Sequence, residues 1–163
     1  GGYYSDEEFD LTRLDHLRGG MVEVGRSCVH RDYRHGAVIG LLWAGVFRYM
    51  QQHGYSHLVG CASVPLHDGG AQAMDVHYAL QKQCPCPVEY RVFPRLDLPM
   101  RQAIPLGDVD IPALIKGYVR LGAWVCGAPA WDPEFNTADL LMLLPMSRIA
   151  PRYLQRFARL CSM

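Results

Sequence analysis

The stretch EVGRSCVHRDYRHGAVI, residues 23–39, decides the fold, because a strand pattern passes into a helix pattern within it. With the residues just before it, this stretch predicts a strand over 21–30, a polar turn, and a helix over 37–53. Free backbone N–H groups and the helix dipole attract anions to the start of such a helix. Arg31 and Arg34 add positive charge. The turn therefore predicts an anion site, although an ordinary strand–turn–helix with solvated arginines fits the same pattern.

The rest of the chain alternates strand and helix patterns. Predicted strands cover 57–64, 88–93, 124–131 and 139–144, and predicted helices cover 11–17, 71–83, 113–121 and 151–160. This order predicts an α/β fold with helices packed on a sheet, in a single domain over 1–163. The helix over 37–53 is apolar nearly all round, which predicts a buried helix.

Composition excludes several classes of protein. Half of the 163 residues are hydrophobic and 20% are charged, which excludes a mainly disordered chain. Sixteen Lys and Arg balance sixteen Asp and Glu, so nucleic acid is not an expected partner. No apolar run reaches the roughly 20 residues that span a bilayer. Six cysteines without a secretion signal predict free thiols and a cytoplasmic protein.

Three blocks of sequence form a recognisable set. They are Gly2-Tyr3-Tyr4-Ser5 with Glu8-Phe9-Asp10-Leu11, Gly25-Arg26-Ser27-Cys28-Val29-His30 with Asp32-Tyr33-Arg34, and Leu114-Ile115-Lys116-Gly117-Tyr118-Val119-Arg120-Leu121-Gly122-Ala123 with Phe135-Asn136-Thr137-Ala138-Asp139. With these blocks the chain resembles the GNAT acyltransferases, and most closely the bacterial ornithine-acyl-ACP N-acyltransferases, often labelled hemolysin-like. The resemblance implies a GNAT-like acyl-CoA N-acyltransferase fold with a mixed central sheet and flanking helices. It also implies that the N-terminal part of that family fold is absent here.

The resemblance further implies a reaction and its partners. Family members move a fatty acyl group, commonly 3-hydroxyacyl, from acyl carrier protein to the α-amine of ornithine, which gives a lyso-ornithine lipid. Transfer is direct, without an acyl-enzyme, and needs no cofactor beyond the acyl-ACP or acyl-CoA donor. Tyr33 and Val38 depart from the usual GNAT phosphate loop, which suits the single phosphate of a carrier protein. The expected donor-binding residues are Val29, His30, Arg31, Arg34, Gly36 and Ala37.

The expected catalytic residues are Glu23, Arg26 and Tyr78. An amine attacks a thioester only when neutral, so a base must take its proton, and Glu23 is a carboxylate within the predicted central strand. A structural ion pair between Glu23 and Arg26 is the alternative. Tyr78 lies where GNAT enzymes place a general acid, although a tyrosine at helical spacing is more often part of a core.

Recognition of the substrate carboxylate needs cations, for which Arg26, Lys116 and Arg120 are the candidates. A zinc site at Cys84 and Cys86, with His67 and His77, lacks the paired ligand spacing that such sites show, so no metal is expected.

Other functions remain open on the sequence alone. A sister enzyme acting on another amino acid or a polyamine, an acyl-homoserine-lactone type synthase, and a non-catalytic acyl- or carrier-protein-binding module fit the same residues. Arg152, Arg156 and Arg159 share one face of the last helix. That face is either a solvated surface or a docking strip for acyl carrier protein or for an anionic membrane, reached from the cytoplasmic side.

Overall fold

A computed structural model describes residues 2–25, 29–33, 36–99 and 109–161, with the backbone alone at 36, 37 and 161. The helices are α1 (Ser5–Glu8), α2 (Gly36–His53), α3 (Ala71–Gln83), α4 (Ala113–Leu121) and α5 (Pro151–Cys161). The strands are β1 (Phe9–Asp10), β2 (Met21–Glu23), β3 (His57–Pro65), β4 (Phe93–Pro94), β5 (Trp124–Val125), β6 (Ala130–Asp132) and β7 (Thr137–Pro145). Four 3₁₀ segments connect them, at Thr12–Gly20, Arg31–Tyr33, Val88–Tyr90 and Met146–Arg148.

The central sheet is mixed, in the order β2-β3-β7-β5, with β6 also paired to β7. Strand β2 runs parallel to β3. Strands β3 and β7 are antiparallel over their whole lengths, from His57 opposite Pro145 to Pro65 opposite Thr137. A second, two-stranded sheet joins β1 to β4. The predicted α/β class with a mixed sheet and flanking helices is confirmed.

The two faces of the sheet bury different parts of the chain. Leu58 and Leu144, which are register partners, belong to a core that also holds buried residues of α2, α3, α4 and α5. Val59 and Leu143, the next partners, belong to a second core with the segment that precedes β2. Alternate residues of a strand point to opposite faces, so helices cover one face and the N-terminal segment covers the other.

Helix α2 departs from the sequence-based expectation of a buried helix. Its inner residues Ala44, Phe47 and Met50 are at most 2% exposed, but Leu41 and Leu42 are 51% and 48% exposed. The apolar composition predicted the helix, but composition alone does not show which face of a helix is exposed to solvent. No helix in the described ranges is long and apolar enough to cross a membrane.

Three predicted strands are wrong in extent. Within the described residues the strand over 21–30 is regular only at Met21–Glu23. The strand over 88–93 is a 3₁₀ turn at Val88–Tyr90 followed by β4. The strand over 124–131 divides into β5 and β6, and Gly127 lies between them. Its φ of 153° favours glycine. A Cβ at this position would lie 2.4 Å from the Val92 carbonyl oxygen.

The predicted helices are confirmed with closer agreement. Helices α3 and α4 have the bounds that the sequence predicts, and α2 and α5 differ from prediction by one residue. The short helix predicted at 11–17 is the 3₁₀ segment Thr12–Gly20. The four described cysteines with assigned side chains, Cys61, Cys84, Cys86 and Cys126, are free thiols, as expected.

Gly60 on β3 lets the backbone carbonyl of Val24 approach closely, so a substitution at Gly60 tests this part of the fold. A Cβ there would lie 2.5 Å from the Val24 carbonyl oxygen, so Gly60→Ala must push β2 away from β3. We expect this change to lower the free energy of unfolding by about 2 kcal/mol or more in urea titrations. The matched control is Gly45→Ala on α2, where nothing lies within 4 Å of the added carbon. Gly45→Ala should stabilise the protein by up to about 1 kcal/mol, since alanine is the better helix former. Equal effects of Gly60→Ala and Gly45→Ala on the free energy of unfolding would contradict this account of Gly60.

Candidate functional site

The point where β2 leaves the sheet defines the candidate site. The Val24 N–H still donates to the Val59 carbonyl at 2.9 Å, but the Val24 carbonyl turns over Gly60. The Tyr118 hydroxyl lies 3.1 Å from the position that a Cβ of Gly60 would take. The chain then passes through residues outside the described ranges and returns at Val29. Within the described residues the pairing of β2 with β3 ends at Val24, so the segment that follows is the candidate ligand-binding turn.

Glu23 is the last residue of β2 and holds the start of helix α1. One oxygen of its carboxylate, Oε1, accepts hydrogen bonds from the Ser5 N–H at 2.8 Å and the Ser5 hydroxyl at 2.5 Å. The other oxygen, Oε2, accepts from the Tyr4 N–H at 2.6 Å. A carboxylate at a helix N-terminus satisfies backbone donors that the helix leaves unpaired. Glu23 therefore fixes the N-terminal segment on the sheet, a task that the sequence did not predict.

The hydrogen-bond chain from Glu23 continues to the half-buried thiol of Cys61. The Ser5 hydroxyl, fully buried, lies 3.3 Å from Cys61 Sγ on β3. Burial, as the main cause, raises the pKa of Cys61 to about 12. A thiol that stays protonated at neutral pH is a poor nucleophile. Cys61 is therefore a poor candidate for covalent catalysis, and the direct transfer expected from the sequence stays a prediction.

The predicted donor-binding turn is described in part. Val29 is half-buried, while His30 and Arg31 are exposed. Asp32 draws these two side chains together, with its carboxylate 3.6 Å from His30 Nδ1 and 3.6 Å from Arg31 Nε. Gly36 and Ala37, also predicted to bind the donor, form the first residues of α2. Arg26 and Arg34 lie outside the described residues, so their predicted roles stay predictions.

The other predicted site residues lie on two further helices. Tyr78 is on α3, 40% exposed, with its ring 5.5 Å from that of His77. Lys116 and Arg120 lie one turn apart on α4 and are exposed. The Lys116 ammonium pairs with Asp110 at 3.2 Å. The acid role of Tyr78 and the carboxylate-binding roles of Lys116 and Arg120 stay predictions.

Tyr118 is a candidate that the sequence analysis quoted within a block but did not single out. It is 2% exposed, and Trp43 of α2 packs edge-on against its ring at 5.1 Å. Burial raises its pKa to about 12, so the phenol keeps its proton at neutral pH and can donate a hydrogen bond. Its neighbourhood with Gly60 was not visible in the sequence, since it depends on how α4 crosses the sheet.

A cluster of three carboxyl groups was also missed. Side-chain oxygens of Glu8, Asp132 and Asp139 lie within 4.8 Å of one another, and no other group of three such metal-ligating side chains was found in the described ranges. Burial, followed by repulsion from Asp139 and Asp132, raises the pKa of Glu8 to about 7. Burial likewise raises the pKa of Asp139. Oxygen ligands suit Mg²⁺ or Ca²⁺, but carboxyls this close also favour protonation of one of them.

Comparison with known proteins agrees with this architecture. Residues 1–44, which contain α1, β2 and the start of α2, match the family model described as an acetyltransferase (GNAT) domain. The mixed sheet with flanking helices is the arrangement expected for that family. This N-terminal part of the chain is therefore similar to the GNAT family.

Over nearly its whole length the chain is similar to curated proteins named L-ornithine N(alpha)-acyltransferase. It is 32% identical to the one from Brucella abortus and 35% identical to the one from Agrobacterium fabrum, over 96% of this chain in each case. It is 33% identical to the one from Rhodobacter capsulatus over 98% of this chain. The chain spans 59%, 56% and 63% of the lengths of these relatives, respectively. No solved structure matches it.

The raised pKa of Glu8 predicts a change of stability with pH. The folded state favours the neutral form of the Glu8 carboxyl. The stability that this protonation adds is therefore fully present below the ordinary pKa of 4.5 and is lost as the pH rises through about 7. Glu8→Gln keeps a neutral side chain at every pH. Its melting temperature should therefore match that of the unaltered chain at pH 4 and exceed it at pH 8. The control is Glu134→Gln, which removes an exposed carboxyl from the turn after β6. If the melting temperatures of Glu8→Gln and the unaltered chain differed by the same amount at every pH, the pKa of Glu8 would not be raised in the folded protein.

Proposed function

We propose that this protein is an N-acyltransferase that moves a fatty acyl group from a thioester donor to the α-amine of ornithine. The observation that carries the proposal is its identity of 32–35% over nearly all of its length to proteins named L-ornithine N(alpha)-acyltransferase. A thioester of (3-hydroxy)acyl carrier protein is the proposed donor. The proposed product is an N-acylated ornithine, the lyso form of an ornithine lipid.

The end of β2 supports a thioester site on physical grounds. The described pairing of β2 with β3 ends at Val24, and backbone N–H groups of the turn that follows are the proposed donors to the oxyanion that forms as a thioester carbonyl is attacked. Helix α2 begins shortly beyond, so its N-terminal N–H groups can meet the donor phosphate. The exposed cation Arg31 lies between the two. A carrier-protein donor suits this turn because its prosthetic arm carries one phosphate.

The proposed reaction is one direct displacement. The neutral amine nitrogen forms a bond to the thioester carbon, the carbon–sulfur bond breaks, one amine proton passes to a base, and the leaving thiolate takes a proton. Glu23, directly or through water, is the proposed base. Tyr78 is the acid implied by the resemblance. Tyr118 is a second phenol, and its hydroxyl and the Val24 carbonyl oxygen both lie close to Gly60. No step requires a metal or an organic cofactor.

Thiol chemistry and location form part of the same proposal. The high pKa of Cys61 disfavours an acyl-enzyme on the cysteine beside Glu23 and Ser5. Free thiols at four described cysteines fit a reducing compartment, so we place the reaction in the cytoplasm. A lipid product must reach a bilayer, and peripheral contact with an anionic membrane belongs to the proposal for that reason.

The acceptor pocket is the least defined part of the proposal. The ornithine carboxylate needs a cation, and the candidates remain Arg26, Lys116 and Arg120. Lys116 already pairs with Asp110, so its ammonium binds a substrate carboxylate only by exchanging that partner. A sister enzyme with another amine acceptor, and a module that binds the donor without reacting, are the alternatives that the test must separate.

The test is an incubation of the 163-residue chain with 3-hydroxyacyl carrier protein and a panel of amines, followed by mass spectrometry of new amides. The panel contains ornithine, lysine, glutamine, homoserine lactone and a polyamine. A new amide with ornithine alone supports the proposal. Amides with another amine and none with ornithine would make the protein a sister enzyme. Donor binding without any product would make it a binding module.

Glu23→Gln separates a catalytic base from a structural anchor. A general base contributes about 10²–10⁴-fold, so the substitution should lower kcat at least about 100-fold while donor affinity is preserved. The matched control is Ser5→Ala, which removes one hydrogen bond to the same carboxylate and leaves a potential base in place. Ser5→Ala should lower the melting temperature and leave kcat within a few-fold.

Equal losses of kcat in the two variants would mean that Glu23 only positions α1. Arg34→Ala completes the comparison, because a cation at the donor turn should act on donor affinity rather than on turnover. We expect it to raise the donor KM at unchanged kcat. A fall in kcat alone would contradict that assignment.

A further inference from the structure

The segment that follows helix α3 pairs briefly with strand β5. The Val125 N–H donates to the Cys84 carbonyl oxygen at 3.0 Å, and the Cys86 N–H donates to the Val125 carbonyl oxygen at 3.2 Å. These two hydrogen bonds make Pro85 the parallel register partner of Val125. Because two parallel segments stay in step along the chain, the next residues on each side, Cys86 and Cys126, lie next to each other.

The side chains of these two cysteines also lie in the same core. Cys126 is fully buried in the core that the N-terminal segment covers, and the half-buried Cys86 packs against that core. Cys84, two residues earlier, packs against the core on the other face of the sheet. The thiols of Cys86 and Cys126 therefore belong to one face of the sheet, and the thiol of Cys84 belongs to the opposite face.

The spacing of Cys86 and Cys126 meets the requirement for a disulfide. Neighbouring paired strands lie about 4.8 Å apart. The Cα atoms joined by a disulfide lie about 4.4–6.8 Å apart, provided that their Cβ atoms do not point away from each other. The backbone of Cys126 is held on both sides, since its N–H donates to the Leu141 carbonyl at 2.9 Å and its carbonyl accepts from the Val92 N–H at 2.7 Å. A bond between the two sulfurs thus needs rotation of side chains rather than a shift of a strand.

The two thiols differ in a way that suits disulfide exchange. A hydrogen bond from the Cys126 thiol is the main cause that lowers the pKa of Cys86 against the opposing effect of burial, and the positive charge of Arg91 lowers it further. The same hydrogen bond, followed by burial, raises the pKa of Cys126 well above its ordinary value. The thiolate is the attacking form of cysteine. Cys86, which lies between the exposed residues Pro85 and Val88, is therefore the attacking group.

We propose that Cys86 and Cys126 are a modification site, at which an intramolecular disulfide forms reversibly when a small disulfide such as oxidised glutathione acts as the oxidant. The Cys86 thiolate forms a bond to one sulfur of the oxidant, the sulfur–sulfur bond of the oxidant breaks, and one glutathione leaves as a thiolate. Loss of the Cys86 charge removes one cause of the raised pKa of Cys126. Cys126 then loses its proton and forms a bond to the Cys86 sulfur, which expels the second glutathione thiolate.

The exchange balances in electrons and protons. Two protein thiols are oxidised to one disulfide, and one oxidised glutathione is reduced to two thiols. The two protons that the cysteines lose to solvent are matched by the two that the glutathione thiolates gain. In a reducing compartment such a disulfide is transient, and it forms only when the thiol pool becomes oxidised.

The disulfide has a structural effect on the chain that it closes. It encloses residues 87–125, which contain helix α4, in a covalent loop. A cross-link restricts the unfolded chain, and the restriction grows with the length of the loop. The oxidised protein therefore resists unfolding of the segment that carries Lys116 and Arg120, two candidate cations of the acceptor pocket.

The test follows the cross-link in the purified, reduced chain and needs neither donor nor acceptor. The chain is equilibrated with mixtures of reduced and oxidised glutathione, free thiols are blocked with N-ethylmaleimide, and tryptic peptides are identified by mass spectrometry. Trypsin cleaves after Lys and Arg, so Cys84 and Cys86 fall in peptide 83–91 and Cys126 falls in peptide 121–148. We expect these two peptides to become joined as the share of oxidised glutathione rises, and dithiothreitol to separate them.

Two single substitutions assign the bond to its residues. Cys86→Ser should abolish the joined peptides, whereas the matched control Cys84→Ser, two residues away, should keep them. Oxidation should raise the melting temperature of the unaltered chain and of Cys84→Ser by about 5 °C or more. Cys86→Ser should melt at the same temperature with and without oxidised glutathione.

Four results would overturn the proposal. They are no joined peptides in oxidised glutathione alone, joined peptides that persist in Cys86→Ser, a glutathione adduct on Cys86 that never passes to Cys126, and an oxidised chain that melts no higher than the reduced one. If Cys86→Ser fails to fold by circular dichroism, fragmentation of the joined peptides from the unaltered chain still shows whether Cys84 or Cys86 is bonded. The result is independent of acyl transfer, because the measurement contains no substrate.

Discussion

The antiparallel pairing of β3 with β7 is the constraint on which the rest of the structure depends. The two strands are paired from end to end, and the other strands of the central sheet attach to one or the other. Apolar residues on both faces of the β3–β7 pair are buried, so other parts of the chain must pack on each face. Helices α2 to α5 supply one cover and the segment before β2 supplies the other. The candidate site lies where these two covers meet, at the parting of β2 from β3.

The face under the N-terminal segment is unusual because polar groups interrupt its core. Glu23 on β2 and Cys61 on β3 meet Ser5 of α1, and Asp139 on β7 meets Glu8 of the same helix. The two contacts of Ser5 tie α1 to β2 and β3 by directional polar interactions. Glu8 and Asp139 are close but repel each other when both are ionised. The short first helix thus joins the candidate site at one end to the carboxyl cluster at the other.

The sequence was sufficient for the helices and insufficient for the short strands and the site. Helix α3 begins after Gly70 and ends before the Cys84-Pro85 pair, so local signals define both bounds. Strand Trp124–Val125 lasts two residues because its pairing depends on β7, which is remote in sequence. The task of Glu23 could not be predicted either, since its partners Tyr4 and Ser5 lie far along the chain and carry no pattern that points to a carboxylate. The exposed side of α2 could not be predicted for the same reason, because exposure depends on which other elements pack against a helix and composition does not show this.

The tie between Glu23 and α1 has a consequence for the order in which the molecule assembles. A helix of four residues has no stability of its own, because nucleation costs more than so few hydrogen bonds return. Its order depends on the carboxylate at the end of β2, and β2 in turn depends on β3. The first residues of this chain therefore acquire structure only after strands far downstream have paired. The backbone amide of Ser5, held by that carboxylate, reports through its hydrogen exchange whether the sheet beneath it has closed.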